Sequence, residues 1–404
     1  MMKQLLEKEL PAIEGGIPIR KNYLNFSQPL IGEEEIREVV DTLRSGWLGT
    51  GPKTIRFANE FREYIGSRFA IPTNSCTSAL HLSLVACGVN SGDEVITTPM
   101  TFVATVNVIV HQGAIPVFAD ILPNSFHIDP QQIERKITKR TKAIIPVHFG
   151  GLPCDMDAIM NIARKHHLYV IEDAAHAVGG QYKGKKIGTI GDFTCFSFYV
   201  TKNMTTAEGG MVTTDEEEKA KMIDQMSRHG IDLDPWQRHS NREFKYYEVV
   251  YPGYKYNMTD LAASMGLHQL KKMDEFLESR RRCVGMYGRQ LQNLSEVVLP
   301  RAPVDGEHAW HLYPILVKPE CLKITRDQFV EALCKENVGV GVHYRAIHLQ
   351  KYYRERFHYE RGNYPNAEFV SDRVLSLPLS SGMSDEDVQD TVEAVRKLIR
   401  YYRK

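Results

Sequence analysis

The sequence predicts an α/β fold in which a large, mostly parallel sheet has helices on both faces and a smaller C-terminal α+β domain follows. Three observations support this prediction. The chain has 404 residues, which exceeds the size at which a single hydrophobic core usually stops growing. Short β-branched runs alternate with helical patterns in the first part of the chain. After about residue 270 the sequence pattern changes to long charged helical segments, so we expect a second, smaller hydrophobic core there.

The predicted strands of the large sheet are short, and most of them are apolar on both faces. Strands of this kind are covered by helices on both sides, which is typical of a largely parallel sheet. The clearest runs are DEVITTP (93–99), AIPVFADI (114–121), KAIIPVHF (142–149), LYVIEDAA (168–175), TCFSFYV (194–200) and GGMVTTD (209–215).

Helices are predicted between these strands and again in the second part of the chain. TSALHLSLVACG (77–88) has apolar residues at helical spacing and ends in glycine, and MDAIMNIARKHH (156–167) follows a cluster of Gly, Pro and Asp. In the second part we expect one long charged helix at 267–294, a strand at 308–317, a helix followed by a strand at 324–344, and a closing helix at 385–404.

These patterns divide the chain into an N-terminal arm at 1–22, a large α/β domain at 23–270 and a small α+β domain at 271–404. The sequence contains no internal repeat and no low-complexity linker. We therefore expect the two domains to pack firmly against each other.

Composition narrows the class of protein. Lys+Arg and Asp+Glu balance at 50 each, which argues against a nucleic-acid partner or an anionic membrane surface. The charged, amphipathic N-terminus lacks the apolar stretch of a signal peptide, so we expect a cytoplasmic protein without a membrane partner. The seven cysteines lack CxxC spacing, and we expect reduced thiols and no metal site.

Ligands of open α/β sheets bind just beyond the carboxyl ends of the strands. The first informative strand end is PTNSCTSALHL (72–82), where a strand runs through a small polar turn into a helix. Free backbone N–H groups at Thr77 and Ser78, together with the helix dipole, suit a phosphate. The alternative is an ordinary helix N-cap.

The second strand end places Asp173 after a buried apolar run. A carboxylate there needs a cationic or hydrogen-bonding partner, because desolvating it alone costs several kcal/mol. Its neighbour Glu172 should point to the opposite face of the strand. His176 follows, and Ala174 and Ala175 leave room for a flat ligand. The alternatives are a helix N-cap for Asp173 and a packed, hydrogen-bonded imidazole for His176.

The third strand end carries Ser197 and Lys202, and a lysine here could simply be the salt-bridge partner of Asp173. One ligand would use all three strand ends together. Pyridoxal 5'-phosphate needs a lysine for covalent attachment, a carboxylate to keep its pyridine nitrogen protonated, and a phosphate cradle at a helix N-terminus. The sequence offers one of each.

The same residues carry a resemblance to a known family. The chain resembles fold-type I pyridoxal-phosphate enzymes, specifically the sugar aminotransferases of the DegT/DnrJ/EryC1/StrS family, in which the acid and the lysine have the separation of Asp173 and Lys202. Seven blocks of the sequence resemble family blocks in order: SGWLGTGP, GDEVITTPMTFVAT, AIIPVHFGG, IEDAAHAVGG, SFYVTKNMTTAEGG, GYKYNMTDLAASMGLHQL and HAWHLYPI.

The resemblance implies catalytic roles for Lys202, Asp173 and His176. Lys202 would be the Schiff-base lysine and the proton shuttle, and a semi-buried site would have to keep its amine uncharged. Asp173 would hold the pyridinium, and His176 would hydrogen-bond the ring oxygen of the cofactor. Phe102 would stack on the ring face opposite Ala175.

The resemblance also implies the phosphate site. Thr77, Ser78 and Ser197 would hold the phosphate within one chain. The block GYKYNMTD has Lys255 where the commoner family form has Asn, and Asn257 where it has Arg. Lys255 would reach the phosphate of the neighbouring subunit's cofactor, so we expect a homodimer with active sites shared across the interface.

Substrate-facing candidates are weaker, because each also has an ordinary packing or surface interpretation. A guanidinium would suit the carboxylates of glutamate or the diphosphate of a nucleotide sugar. The candidates are Thr50, Gly51, His308, Trp310, His343, Tyr344 and Arg345.

The implied function is transfer of an amino group from L-glutamate, which becomes 2-oxoglutarate, to a nucleotide-linked keto sugar. Within the family the blocks point most closely to a UDP-4-keto sugar of the UDP-4-amino-4-deoxy-L-arabinose type, used in lipopolysaccharide biosynthesis. A dTDP- or UDP-linked deoxyhexose aminated at C3 or C4, and a non-catalytic regulatory relative that binds the cofactor, stay open. Sugar 3-dehydratases of the family have histidine at the position of Lys202, so the lysine in this sequence argues against a dehydratase.

Overall fold

The computed structural model describes residues 9–123, 125–232, 246–301 and 305–404. The strands are β1 (Phe69–Thr73), β2 (Glu94–Thr97), β3 (Ile115–Phe118), β4 (Thr141–Ile145), β5 (Tyr169–Asp173), β6 (Gln181–Tyr182), β7 (Lys185–Lys186), β8 (Phe193–Ser197), β9 (Gly210–Thr214), β10 (Val297–Val298), β11 (Gly306–Glu307), β12 (Tyr313–Val317) and β13 (Val374–Leu377).

The described α-helices are α1 (Glu33–Ser45), α2 (Pro52–Ile65), α3 (Cys76–Ala86), α4 (Val103–His111), α5 (Pro130–Lys136), α6 (Met156–His166), α7 (Glu217–Ser227), α8 (Asp260–Lys271), α9 (Met273–Leu291), α10 (Arg326–Lys335), α11 (Lys351–Phe357), α12 (Pro365–Ser371) and α13 (Asp385–Tyr402). Short 3₁₀ turns lie at Ala12–Glu14, Phe149–Gly151, Pro319–Cys321 and Ile347–Leu349.

The large sheet has seven strands in the order β1-β9-β8-β5-β4-β2-β3. Its pairs are parallel except where β9 lies between β1 and β8, and β9 runs antiparallel to both. All six strands predicted between residues 93 and 215 form in this sheet. The predicted mostly parallel α/β fold is confirmed.

Helices cover both faces of this sheet, as the doubly apolar strands predict. Ile171 in β5 packs into a core formed with α3, α4 and α7. Its neighbour Val170 points the other way, into a core formed with α5 and α6. Successive residues of a strand alternate between faces, so the two residues that end β5 must diverge as well.

The small domain contains an antiparallel sheet in the order β10-β12-β13 with α9, α10 and α13 against it. One long helix at 267–294 was predicted, and this is wrong. The chain breaks at Lys272, whose N–H donates to the carbonyl of Gln269 at 3.1 Å, and α9 starts afresh. The strand expected after α10 is also wrong, because Val338 and Gly341 make only isolated bridges, to Leu24 and Ser376.

The N-terminal arm lies on the small domain from residue 11 onward, and residues 1–8 of the predicted arm lie outside the described part. A buried ion pair between Glu336 and Lys397 (2.9 Å) fixes it, because the Glu336 carboxylate also accepts the N–H groups of Ala12 and Ile19. The division proposed at residue 270 lies beside the end of α8, and it stays a prediction.

Three further findings concern the chain as described. All seven cysteines are free thiols. Within the described ranges, no three metal-binding side chains come together as a site. None of the helices seen in those ranges combines the length and apolarity that crossing a membrane requires.

Candidate active site

A cavity of about 450 Å³ opens at the carboxyl ends of the parallel strands, where small-domain residues cover it. The segments after β1, β2, β4, β5 and β8 all reach it. This is the edge of the sheet at which the sequence predicted a ligand. Nine of the predicted site residues line the cavity: Thr77, Phe102, Asp173, Ala175, His176, Ser197, Lys202, His343 and Tyr344.

Lys202 follows β8 in a turn closed by its own N–H, which donates to the carbonyl of Tyr199 at 2.9 Å. Its side chain faces the cavity, and its Nζ has neither a hydrogen bond nor an ion pair with any described residue. Burial lowers the pKa of Lys202 to about 8, while the charge of Asp173 acts in the opposite direction. The salt bridge considered as an alternative for this lysine is therefore absent from the described structure.

Asp173 ends β5 with its carboxylate buried beside the cavity. Its Oδ2 accepts the hydroxyl of Thr105 at 2.7 Å, and its Oδ1 accepts the N–H of Ala175 at 3.1 Å. Burial raises the pKa of Asp173, and these two hydrogen bonds and the charge of Lys202 oppose the increase. The carboxylate is thus held in place, and no cationic side chain among the described residues lies at bonding distance from it.

Glu172 points away from the cavity, as predicted from strand alternation. Its carboxylate accepts hydrogen bonds from His148 Nε2 (2.8 Å), the N–H of Gly191 (2.8 Å) and the hydroxyl of Thr194 (2.7 Å). The two carboxylates therefore point to opposite faces of β5, and Asp173 is the one that reaches the cavity.

The start of α3 forms one wall. Ser75 is the N-cap, and its hydroxyl accepts the N–H of Ser78 at 3.1 Å. The Ser78 hydroxyl donates to Asn74 at 2.7 Å, and Ser78 does not line the cavity. The N–H groups of Cys76 and Thr77 belong to the first helical turn and have no acceptor among the described residues. The N-cap and two N–H groups without a described acceptor therefore occur together at this helix start.

Gly210 allows the close approach of this helix start to the sheet. A Cβ at Gly210 would lie 2.4 Å from the carbonyl carbon of Ser75, which real structures do not tolerate. Any side chain at this position would therefore push the N-terminus of α3 away from β9 and out of the cavity wall.

His176 is buried and has both ring nitrogens engaged. Its Nδ1 accepts the N–H of Gly150 at 3.2 Å, and its Nε2 lies 3.2 Å from the Tyr344 hydroxyl. Burial lowers the pKa of His176 well below its usual value, so the ring is neutral. Because Nδ1 accepts, the single ring proton sits on Nε2, and His176 donates to Tyr344.

Three predicted residues lie in or beside the segment 255–260, outside the cavity. The Thr50 hydroxyl donates to the carbonyl of Met258 at 2.6 Å, and the N–H of Gly51 donates to Asp260 at 2.8 Å. Lys255 is exposed in the same segment, three residues before Met258. None of the three predicted residues lines the cavity of its own chain.

Of the remaining substrate-site candidates, three lie outside the cavity and His343 lines it. His308 and Trp310 are buried and stacked on each other with ring centroids 3.7 Å apart, and His308 Nδ1 accepts the N–H of Trp310 at 2.8 Å. Arg345 is exposed and forms no hydrogen bond or ion pair within the described part of the chain. His343 does reach the cavity, where its Nδ1 lies 2.9 Å from the Ser376 hydroxyl.

Phe26 and His311 are among the cavity residues that the sequence analysis missed. Phe26, from the segment after the arm, packs on His343 with ring centroids 5.1 Å apart, and its carbonyl accepts the N–H of Leu379 at 3.2 Å. His311 lies three residues beyond the predicted His308, in the same HAWHLYPI block. The block was recognisable, but which of its two histidines faces the cavity depends on the turn at Trp310, whose φ is +45°.

Comparison with known proteins identifies the family. The family model described as the DegT/DnrJ/EryC1/StrS aminotransferase family matches residues 29–396. This chain belongs to that family. It is 55% identical over 381 residues to an uncharacterized protein of Methanocaldococcus jannaschii, covering 94% of this chain and 99% of the relative. It is 50% identical to the spore coat polysaccharide biosynthesis protein SpsC of Bacillus subtilis, covering 94% and 98%.

Among solved structures, the fold matches a sugar aminotransferase of Streptococcus pneumoniae, Spr1654, in its PLP form. The TM-score is 0.87 at 35% identity, with 94% of this chain and 99% of the other covered. The same protein was also solved in its PMP form, with a TM-score of 0.88. Members of the DegT/DnrJ/EryC1/StrS aminotransferase family depend on pyridoxal phosphate, and this chain is a pyridoxal-phosphate-dependent sugar aminotransferase.

The residues of the cavity fit this cofactor. The buried amine of Lys202 and the buried carboxylate of Asp173 both lack a bonded charged partner within the described structure, and the two free N–H groups at the start of α3 face the same space. These are the groups that an aldehyde, a pyridinium and a phosphate require.

Proposed function

We propose that this aminotransferase moves an amino group from L-glutamate to a nucleotide-linked keto sugar, and that a UDP-4-keto sugar of the UDP-4-amino-4-deoxy-L-arabinose type is its substrate. The observation that carries the reaction type is the Lys202 amine, which faces the cavity beside the Asp173 carboxylate without a hydrogen-bond or ion-pair partner among the described residues. Burial there lowers the pKa of Lys202 to about 8. The choice of sugar rests on the sequence blocks. The same proposal includes a role for the enzyme in lipopolysaccharide biosynthesis and a cytoplasmic location.

Bound pyridoxal phosphate supplies an electron-accepting pyridinium ring that stabilises negative charge at the carbon undergoing transamination. We assign Asp173 the task of keeping that ring protonated, since a negative charge within ~4–6 Å favours a protonated base by one to three pKa units. Thr77, Ser78 and Ser197 are proposed to hold the phosphate, with Ser78 acting through its N-cap contact. Phe102 and Ala175 would flank the ring.

Lys202 is proposed as the proton carrier. At a pKa of about 8 its amine is present in both protonation states near neutral pH, so it can accept a proton at Nζ and return it. His176 is proposed to orient the ring oxygen of the cofactor through its Nε2–H, which at present meets the Tyr344 hydroxyl.

The enzyme is proposed to act as a homodimer in which each chain completes its partner's site. Support comes from Lys255, which is exposed, and from Thr50 and Gly51, which bond to Met258 and Asp260; all three lie away from the cavity of their own chain. Lys255 would contact the partner's phosphate, and the other two residues would face its substrate. His308, Trp310, His343, Tyr344 and Arg345 stay as substrate-site candidates, of which only His343 and Tyr344 line the cavity of their own chain.

A second candidate is a dTDP- or UDP-linked deoxyhexose aminated at C3 or C4. The name of the SpsC relative, a spore coat polysaccharide biosynthesis protein, favours this wider range of sugars. The two candidates share the same chemistry and differ only in substrate.

The test runs in two steps. Glutamate added to the purified holoenzyme should bleach the yellow absorbance of the bound cofactor. A cofactor-binding protein without transaminase activity would keep its colour. A panel of UDP- and dTDP-linked amino sugars, run in the reverse direction with 2-oxoglutarate, then identifies the sugar. Turnover of dTDP-amino sugars alone would overturn the UDP-4-keto proposal.

A further inference from the structure

The imidazole of His311 lines the cavity. Neither ring nitrogen forms a hydrogen bond with a described residue, and Nδ1 is fully enclosed by protein. The ring lies against that of His176, with centroids 4.5 Å apart and the ring planes tilted by 34°. Burial, reinforced by the charge of Lys202, lowers the pKa of His311 well below its usual value, so the ring is neutral.

The enclosure of Nδ1 favours one position for the ring proton. Nδ1 is unpaired in the described structure in either tautomer, but proteins tolerate a buried N–H without an acceptor less well than a buried acceptor without a donor. On Nε2 the proton belongs to the ring edge that remains available to the cavity. His311 therefore presents Nε2–H as a neutral donor.

Tyr344 supplies a second neutral donor. Because Nε2 of His176 carries the ring proton and cannot accept a hydrogen bond, the Tyr344 hydroxyl proton is left to donate elsewhere. His176 lies between the two donors, with its ring 4.5 Å from His311 and 6.3 Å from Tyr344. Burial raises the pKa of the Tyr344 hydroxyl, so that group keeps its proton throughout the working range of pH.

Arg280 of α9 holds His311 in place from behind. Its guanidinium is buried and donates to the carbonyls of Trp310 (3.1 Å), His311 (3.3 Å) and Leu379 (3.3 Å), and it has no carboxylate partner among the described residues. A buried cation satisfied only by carbonyls is costly to keep, and here it fixes the backbone that carries His311.

The cavity walls contributed by this chain contain no arginine among the described residues, and Lys202 is their one lysine. Yet the enzyme must accept two unlike substrates in turn, a dicarboxylate and an uncharged sugar ring. An arginine placed for the carboxylate would be left desolvated and unpaired when the sugar occupied the same space. A neutral N–H or O–H donor serves a carboxylate oxygen and a sugar oxygen equally well.

We propose that His311 Nε2–H and Tyr344 O–H form one neutral donor subsite that binds the carboxylate of the amino donor and, in the other half of the reaction, an oxygen of the sugar ring. This inference rests on the proposed function and deepens it. His311 and Tyr344 are specificity-determining residues, and Arg280 is a positioning residue.

The test uses binding to the holoenzyme, measured by calorimetry, so it does not depend on turnover. Glutarate stands for the amino donor. UDP-xylose or dTDP-glucose, whichever the wild type binds, stands for the sugar, and the free nucleotide is the control. In His311→Gln the side-chain amide nitrogen can take the position of Nε2. In His311→Asn the shorter side chain places its amide nitrogen only at the position of Nδ1. Tyr344→Phe removes the second donor without changing the ring.

We expect His311→Asn and Tyr344→Phe each to weaken both glutarate and the nucleotide sugar by about tenfold, and to leave the free nucleotide unchanged. His311→Gln should stay within about threefold of wild type. Weakening of only one of the two ligands overturns the shared subsite. Equal weakening of the free nucleotide, or a His311→Gln variant as weak as His311→Asn, shows a structural role and overturns it too.

Failure of the inference can be told apart from failure of the proposed function. Variants that bind like the wild type would refute the donor subsite while leaving glutamate-dependent bleaching intact. A wild type that neither binds these ligands nor bleaches with glutamate would overturn both.

Discussion

The Lys202 amine should react as an unusually acidic lysine, and this can be measured in the apoenzyme. Burial lowers its pKa from 10.5 to about 8. At pH 7 an amine with that pKa is uncharged in about 9% of molecules, against about 0.03% for an ordinary lysine. The uncharged fraction is thus larger by roughly 300-fold. We expect its rate of reaction with trinitrobenzenesulfonate to reach half its maximum near pH 8.

Replacing Asp173 by Asn should shift this titration in a defined direction. The Asp173 charge favours the protonated amine, so its removal lowers the pKa of Lys202 further. The midpoint should fall by about one pH unit, the low end of the effect of a neighbouring charge. Glu208→Gln is the matched control, because Glu208 lines the same cavity but is exposed, and its charge does not contribute to the shift.

The assay follows modification of Lys202 by peptide mass spectrometry from about pH 6 to about pH 10, a range that spans both the lowered and the ordinary lysine pKa. A wild-type midpoint close to that of a surface lysine would refute the argument from burial. An equal downward shift in Asp173→Asn and Glu208→Gln would show that the effect is not specific to Asp173.

Three further predictions concern catalysis, assembly and stability. Lys202→Ala should abolish glutamate-dependent bleaching. The variant should still fold and keep its cofactor non-covalently, because Nζ has no described partner to lose. Equilibrium dialysis measures the bound cofactor, and full activity in this variant would contradict the mechanism. When Lys202→Ala and Lys255→Ala chains are co-expressed, each mixed dimer should contain one intact site, because that site takes Lys202 from one chain and Lys255 from the other. A verified mixed dimer without activity would argue that each chain builds its own site. Lys397→Met leaves the buried Glu336 carboxylate uncompensated and should lower the free energy of unfolding, measured in urea, by about 3–5 kcal/mol. Adding Glu336→Gln to this variant should recover part of the loss. A loss below about 1 kcal/mol in Lys397→Met alone would show that the pair does not stabilise the fold.

Much of the site followed from the sequence because it depends on strand ends. The carboxyl ends of parallel strands share one edge of a sheet, so Thr77, Asp173 and Lys202 had to converge once their strands were identified. The opposite orientations of Asp173 and Glu172 followed from strand alternation alone. Local patterns were sufficient for these residues.

The small-domain contribution could not be predicted in the same way. His308 and His311 lie in one block with similar neighbours, and the turn at Trp310 with the Arg280 contacts decides which ring meets the cavity. Those contacts join α9 to a loop far along the chain, and no local period encodes them. The break at Lys272 was hidden for a related reason, since the charged helical pattern continues across it.

The bond between the N–H of Leu379 and the carbonyl of Phe26 has a consequence for the timing of assembly. It joins a cavity wall near the start of the chain to a segment near its end, whereas Lys202 emerges during synthesis well before that segment exists. Domains generally fold as they are made, N-terminal first, so the large sheet can form on a growing chain while its ligand site still stands open. The closed form of the cavity can therefore be completed only when translation is almost finished.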